Sequence, residues 1–133
     1  MSALTAAEGD FYQTIEPQLA AAATEADNVA ALGEQRSRNL FAIRRAEAIL
    51  EDRLVAIDRA TRPGRVPTRF AVAIDRYRQG ADLLRMAMSE ARSAFAGLDW
   101  ERLDAAVARS RQGADALVVA SDELHRAARA SPT

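Results

Sequence analysis

The sequence contains no cysteine, no lysine, one histidine and few aromatic residues, and each shortage removes a class of chemistry. Without cysteine there is no disulfide, thiol nucleophile or thiolate metal site, and the absence is neutral about compartment. Without lysine there is no Schiff base or amine nucleophile; all eighteen basic residues are arginine. No run approaches about 18 uninterrupted apolar residues, so no transmembrane segment is expected in this chain. No cleavable signal pattern follows Met1. The expected compartment is cytoplasmic if the chain is complete and extracytoplasmic if it is a mature or truncated form. A net charge of -1 lacks the basic excess expected of a nucleic-acid binder.

What is present favours helix. Alanine makes up roughly a quarter of the residues and β-branched residues are sparse, so the expected class is all-α. A chain of 133 residues that is 49% hydrophobic suits one domain, 1–133, with its own core.

Residues 69–128 read as one sequence written twice. Arg78-Gln79-Gly80-Ala81-Asp82 returns as Arg111-Gln112-Gly113-Ala114-Asp115, offset by 33 residues. In the first copy the apolar positions Phe70, Ile74, Tyr77, Ala81, Leu84, Met88, Ala91 and Phe95 alternate steps of four and three. That beat is a seam for packing helix on helix. The second copy runs Trp100, Leu103, Val107, Ser110, Ala114, Leu117, Ser121 and Leu124, with small residues that permit close approach. Between the copies Gly97 suits a left-handed helix end, Asp99 an N-cap, and Leu98 a staple onto Leu103. The resulting helical hairpin places Gly80 and Gly113 level with each other, roughly 24 Å from its turn.

Earlier in the chain, Thr5 with Glu8 forms a capping-box pattern, and Asp10 with Gln13 is a close variant. The first helix carries Tyr12, Ile15, Leu19, Ala22, Ala26 and Val29 inward, with Phe11 and Leu32 beside them. Pro17 is expected to kink it and Gly33 to end it. A second helix presents Leu40, Ile43, Leu50, Leu54 and Ile57, widened by Phe41, Ile49 and Val55. It stops at the Pro63, Gly64 and Pro67 segment. The helices are predicted at about 5–32, 35–61, 67–96 and 99–129, an up-down-up-down antiparallel four-helix bundle.

The candidate sites are few. His125 follows Asp122 by three residues, but carboxylate-bridged metal bundles need a second histidine, so no metal site is assigned. Haem ligation fails because Met86 and Met88 lie far along the axis from His125 in the hairpin register. No cofactor and no catalytic set is assigned. Tyr77, Gly80, Leu84, Gly113 and Leu117 are the candidate lining of a small-ligand pocket between the two hairpin helices; close packing through the glycines is the other reading. Arg62, Arg65 and Arg69, with no acid between them, form a candidate anion or partner patch. Residues 1–35 hold six acidic residues and no basic one, so an acidic first helix is expected beside basic neighbours. Local pairs such as Arg44 with Glu47 and Asp58 with Arg62 are allowed by helical spacing.

The proline-containing link at Arg62-Pro63, the Gly97-Leu98-Asp99-Trp100 turn, the Arg-Gln-Gly-Ala-Asp centre and the Phe11-Tyr12-x-x-Ile15-x-Pro17-x-Leu19 start resemble a group of uncharacterised bacterial four-helix-bundle domains. The resemblance implies a domain that follows a signal peptide, lipoprotein anchor or membrane helix, and it carries no functional residue. The expected role is a non-enzymatic interaction or sensing module with a protein partner or self-association, and no nucleic acid. The alternative is the small-ligand bundle.

Leu84→Ala and Leu117→Ala should each destabilise the protein by roughly 2 to 5 kcal/mol, because both lie on uninterrupted seams. Urea denaturation tests this; losses within about 0.5 kcal/mol at both positions would mean that the register is wrong.

Overall fold

The computed structural model describes residues 4–130. Four helices, α1 (Ala6–Glu34), α2 (Leu40–Ala60), α3 (Ala71–Ala96) and α4 (Trp100–Arg129), form a four-helix bundle, with a single 3-10 turn at Thr68–Phe70 leading into α3. Successive helices run in opposite directions, as the cross-helix pairs below require.

The local starts follow from side-chain chemistry. Thr5 Oγ1 accepts from the Glu8 N–H at 3.1 Å and Glu8 Oε1 accepts from the Thr5 N–H at 2.9 Å, so the capping box at Thr5 opens α1. Asn39 caps α2 by accepting from the Ala42 N–H, which delays that helix to Leu40 rather than 35. Asp99 caps α4 through the Arg102 N–H. Pro67 does not open α3 directly; the 3-10 turn intervenes.

Two glycines act differently from expectation. Gly97 has φ -93°, and the left-handed residue is its neighbour Leu98 at φ 51°. The bonds from Asp99 N–H to Ala94 O and from Leu98 N–H to Phe95 O complete a Schellman closure, and that closure needs its left-handed residue at 98. Leu98 therefore points outward and does not staple onto buried Leu103. Gly33 does not end α1, which continues to Glu34. A methyl group on Gly33 would lie 2.9 Å from Val107 Cγ2, so this glycine lets α1 press against α4. Pro17 is accommodated inside α1.

Leu19, Leu50, Leu54, Ile57, Ile74, Leu84, Leu117 and Leu124 fill one core shared by all four helices. Phe11 and Tyr12 stack on Phe70 at centroid distances of 5.5 and 6.0 Å and plug the end where α1 and α3 begin. Phe11 takes the buried place expected for Tyr12, which is half-buried. Trp100 and Phe41, expected on inner faces, are exposed.

The acidic face of α1 meets basic groups of the 3-10 turn and of α4. Arg111 makes a two-pronged pair with Glu34 (3.1 and 2.8 Å) and reaches Asp27 at 2.6 Å. The pairing holds the Glu34 carboxyl below its usual range. Glu8 binds Arg69 at 3.2 Å and Glu16 meets His125 at 3.1 Å.

The α3 and α4 helices pack most closely of all. A Cβ on Gly113 would fall 2.6 Å from Leu84 Cγ and 3.1 Å from Gly80 O; one on Gly80 would fall 3.0 Å from Ala116 Cβ and Leu117 Cδ2. Gly113→Ala should therefore destabilise by roughly 1 to 3 kcal/mol despite about 1 kcal/mol gained in helix propensity. Gly80→Ala should cost less, and the double variant should depart from additivity because each glycine sits against the other's carbonyl. Thermal unfolding of the three variants tests this; stabilisation at both sites would refute the contact.

Candidate functional site

The side of the bundle between α2 and α3 is built unlike the others. Leu50, Leu54 and Ile57 join α2 to the shared core, but α2 and α3 approach each other little along their length. Polar side chains bridge the gap instead. Tyr77, fully buried, points its hydroxyl at Leu54 O (3.0 Å) and Asp58 Oδ1 (2.9 Å). Burial and the adjacent carboxylate push the phenol well above its ordinary value. Arg85 reaches Asp58 at 2.7 Å and Glu51 at 3.4 Å, and Arg78 donates to Thr61 O at 2.7 Å.

This polar ladder separates two grooves. One, of about 430 Å³, is lined by Arg44, Glu47, Ala48, Glu51 and Asp52 of α2 and by Met88 and Arg92 of α3. The other, of about 340 Å³, lies over Asp58, Thr61 and Arg62 on one side and Arg78, Ala81 and Arg85 on the other. In the first groove the Glu47 carboxyl is raised above its ordinary value of 4.5 by loss of water, against the opposing pull of Arg92 and then Arg44. It makes no hydrogen bond or ion pair with the described residues. A carboxylate drawn partly out of water beside a methionine and an alanine can accept from an ammonium, a guanidinium or an amide N–H.

The residues singled out from the sequence fall elsewhere. Tyr77, Gly80, Leu84, Gly113 and Leu117 are all buried, and the glycine level between α3 and α4 is filled by Leu84, Ala116 and Leu117. Of the two readings of this level, close contact through the glycines is what the geometry contains; only Tyr77 reaches the α2–α3 side. Arg62, Arg65 and Arg69 are not brought together as one patch. Gly64 at φ 87° turns the chain between them. Arg62 lines the α2–α3 groove, Arg65 a depression against Phe11 and Ala60, and Arg69 is half-buried, donating to Glu8, Ala127 O and Ala130 O. The pairs expected along α2 are not the ones formed: Asp58 turns to Arg85 rather than Arg62, and Arg44 only approaches Glu47. His125 meets Glu16 and the edge of the Tyr12 ring, and among the described residues no three His, Asp or Glu converge as a metal site.

A signal for the α2–α3 side does exist in the sequence. Arg78, Arg85 and Arg92 recur every seven residues beside the Tyr77, Leu84 and Ala91 seam, and the antiparallel α2 offers Asp58, Glu51 and Glu47 in return. Compared with protein-family models, characterised proteins and solved structures, the chain matches none.

Because its folded-state value is raised, the Glu47 carboxylate opposes folding above that value, and the cost vanishes once pH falls below 4.5. Glu47→Gln should therefore stabilise at pH 7 by roughly 0.5 kcal/mol, a figure reduced for partial exposure. The gain should disappear at pH 4. Melting curves at the two pH values decide it; an equal gain at both would show that the charge is not the cause.

Proposed function

We propose that this chain is a non-enzymatic interaction and sensing module whose recognition face is the groove between α2 and α3. One observation carries the reading: a helix seam bridged by Tyr77, Arg78 and Arg85 above the shared core, with a partly buried Glu47 carboxylate, which makes no hydrogen bond with the described residues, at the wall of the larger groove. A protein segment fits it by laying an apolar side chain over Met88 and Ala48 and presenting a basic or N–H group to Glu47. Such a ligand shifts α2, because α2 leans on α1 through the core and on α3 through a ladder of exchangeable polar bonds.

The likeness to anchored bacterial bundle domains supports an extracytoplasmic setting for this role. No described helix is long and apolar enough to cross a membrane, so the exchange of signals in this reading runs through surfaces. A small amphipathic ligand in the same groove is the second reading; it is favoured by the groove's volume, which lies within the roughly 300 to 1,000 Å³ usual for ligand sites.

A photo-crosslinking amino acid placed at Ala48 tests the proposal in living cells. A discrete protein adduct should form from position 48 and be lost when Glu47→Arg is added. Adducts from position 118 on α4 should be absent. Equal adducts from both positions, or indifference to Glu47→Arg, would sink the groove as a recognition face, whereas a small-molecule adduct found by mass spectrometry would favour the second reading.

A further inference from the structure

The end of the bundle where α1 meets α2 and α3 meets α4 carries large apolar side chains that the core does not use. Phe41 is 89% exposed, Leu98 69%, Trp100 56% and Leu40 43%. They share this end: Ile43, Phe95 and Leu103 line one small cleft, and Leu40, Leu98 and Trp100 each lie three residues beyond one of them, toward the tip. Arg38, in the α1–α2 connection, joins the end of α1 to the start of α4 by donating to Gly33 O and to Asp104, both at 2.7 Å. Residues 35–45 hold four arginines and no acidic residue. Of the acids at the start of α4, Asp99 is occupied as an N-cap and Asp104 by Arg38, which leaves Glu101 as one exposed acid against the arginines. Arg36, Arg45 and Arg102 make no ion pair with the described residues.

Apolar side chains at this end, ringed by unpaired cations, fit one kind of surface. We propose that this tip docks on an anionic lipid bilayer, with Phe41, Leu98 and Trp100 entering the headgroup boundary and the arginines meeting lipid phosphates. The apolar residues project from the first turns of α2 and α4 and from the α3–α4 connection, and none of the four lines a groove described above that a partner helix would fill. A fluid acyl layer needs no such groove. A second copy of the chain is disfavoured because it would set arginine against arginine. Leu98 adds an independent argument: it holds a left-handed backbone, where glycine is the comfortable residue, while its side chain lies in water.

The sole tryptophan, Trp100, reports the event directly. With vesicles of phosphatidylcholine and phosphatidylglycerol, its emission should shift to the blue and the protein should co-sediment, and both effects should fade in high salt. Pure phosphatidylcholine should give neither. Phe41→Ser should weaken partitioning about tenfold or more without lowering Tm, since an exposed aromatic ring buries substantial area only on the membrane. Leu98→Gly should raise Tm while weakening partitioning, a pair of effects that damage to the fold cannot produce. The proposal is overturned if anionic vesicles neither shift Trp100 nor sediment the protein, if binding survives both substitutions, or if the tip instead captures a protein whose binding excludes vesicles.

Discussion

The crossing of backbone on backbone at Gly80 and Gly113 is the constraint from which the rest of the bundle follows. A core rich in alanine leaves voids unless its helices come close, and close approach requires positions without a side chain. The paired glycines supply it for α3 and α4, with Leu84 and Leu117 filling the space on either side. Gly33 repeats the device on a smaller scale, seating α1 against Val107. Once these three helices are drawn together, the acids of α1 lie within reach of Arg69, Arg111 and His125. The ion pairs fasten a geometry that small residues have already set.

The second helix stands outside this scheme. It shares the apolar core, yet its contact with α3 is made by Tyr77, Arg78 and Arg85 reaching across a gap. The Tyr77 bond is buried, but the arginine bridges are partly solvated and exchange with water at little net cost, whereas buried apolar contacts do not. Stability is therefore distributed unevenly: firm around α3 and α4, intermediate at α1, and loosest along the α2 edge. The Glu47 carboxylate, which makes no hydrogen bond with the described residues, lies at the same edge.

The class and order of the helices were legible because alternating steps of three and four residues leave little freedom, and because Asp99 and either Thr5 or Asp10 offer cap chemistry, with Thr5 the one used. Other features depended on choices between neighbours. Gly97 and Leu98 compete for the left-handed position, and the closure from Asp99 to Ala94 decides it, a bond that composition does not announce. Arg69 reads as one of three adjacent surface cations until Glu8 and the end of α4 arrive from opposite ends of the chain to engage it. Asp58 has an acceptable partner four residues away in Arg62 and a better one on α3. The heptad of Arg78, Arg85 and Arg92 was visible, but it gains meaning only with the acidic face of the antiparallel α2 beside it. Phe41 looked like core by type, but the first turn of α2 extends past the core, and its neighbour Leu40 is exposed there too.

Arg69 also has a mechanical consequence. It joins the first turn of α1 to the last carbonyls of α4, so the two ends of the described chain leave the bundle side by side, at the pole opposite Phe41 and Trp100. Whatever is attached at either end sits about 40 Å from that far tip, the length of a helix such as α3. Tension between the two ends would load the Arg69 bridge and the Phe11–Phe70 stack first, and would then part α1 from α4 turn by turn instead of sliding whole helices past each other. Under such a load the fold would open as a zipper from the pole that holds Arg69.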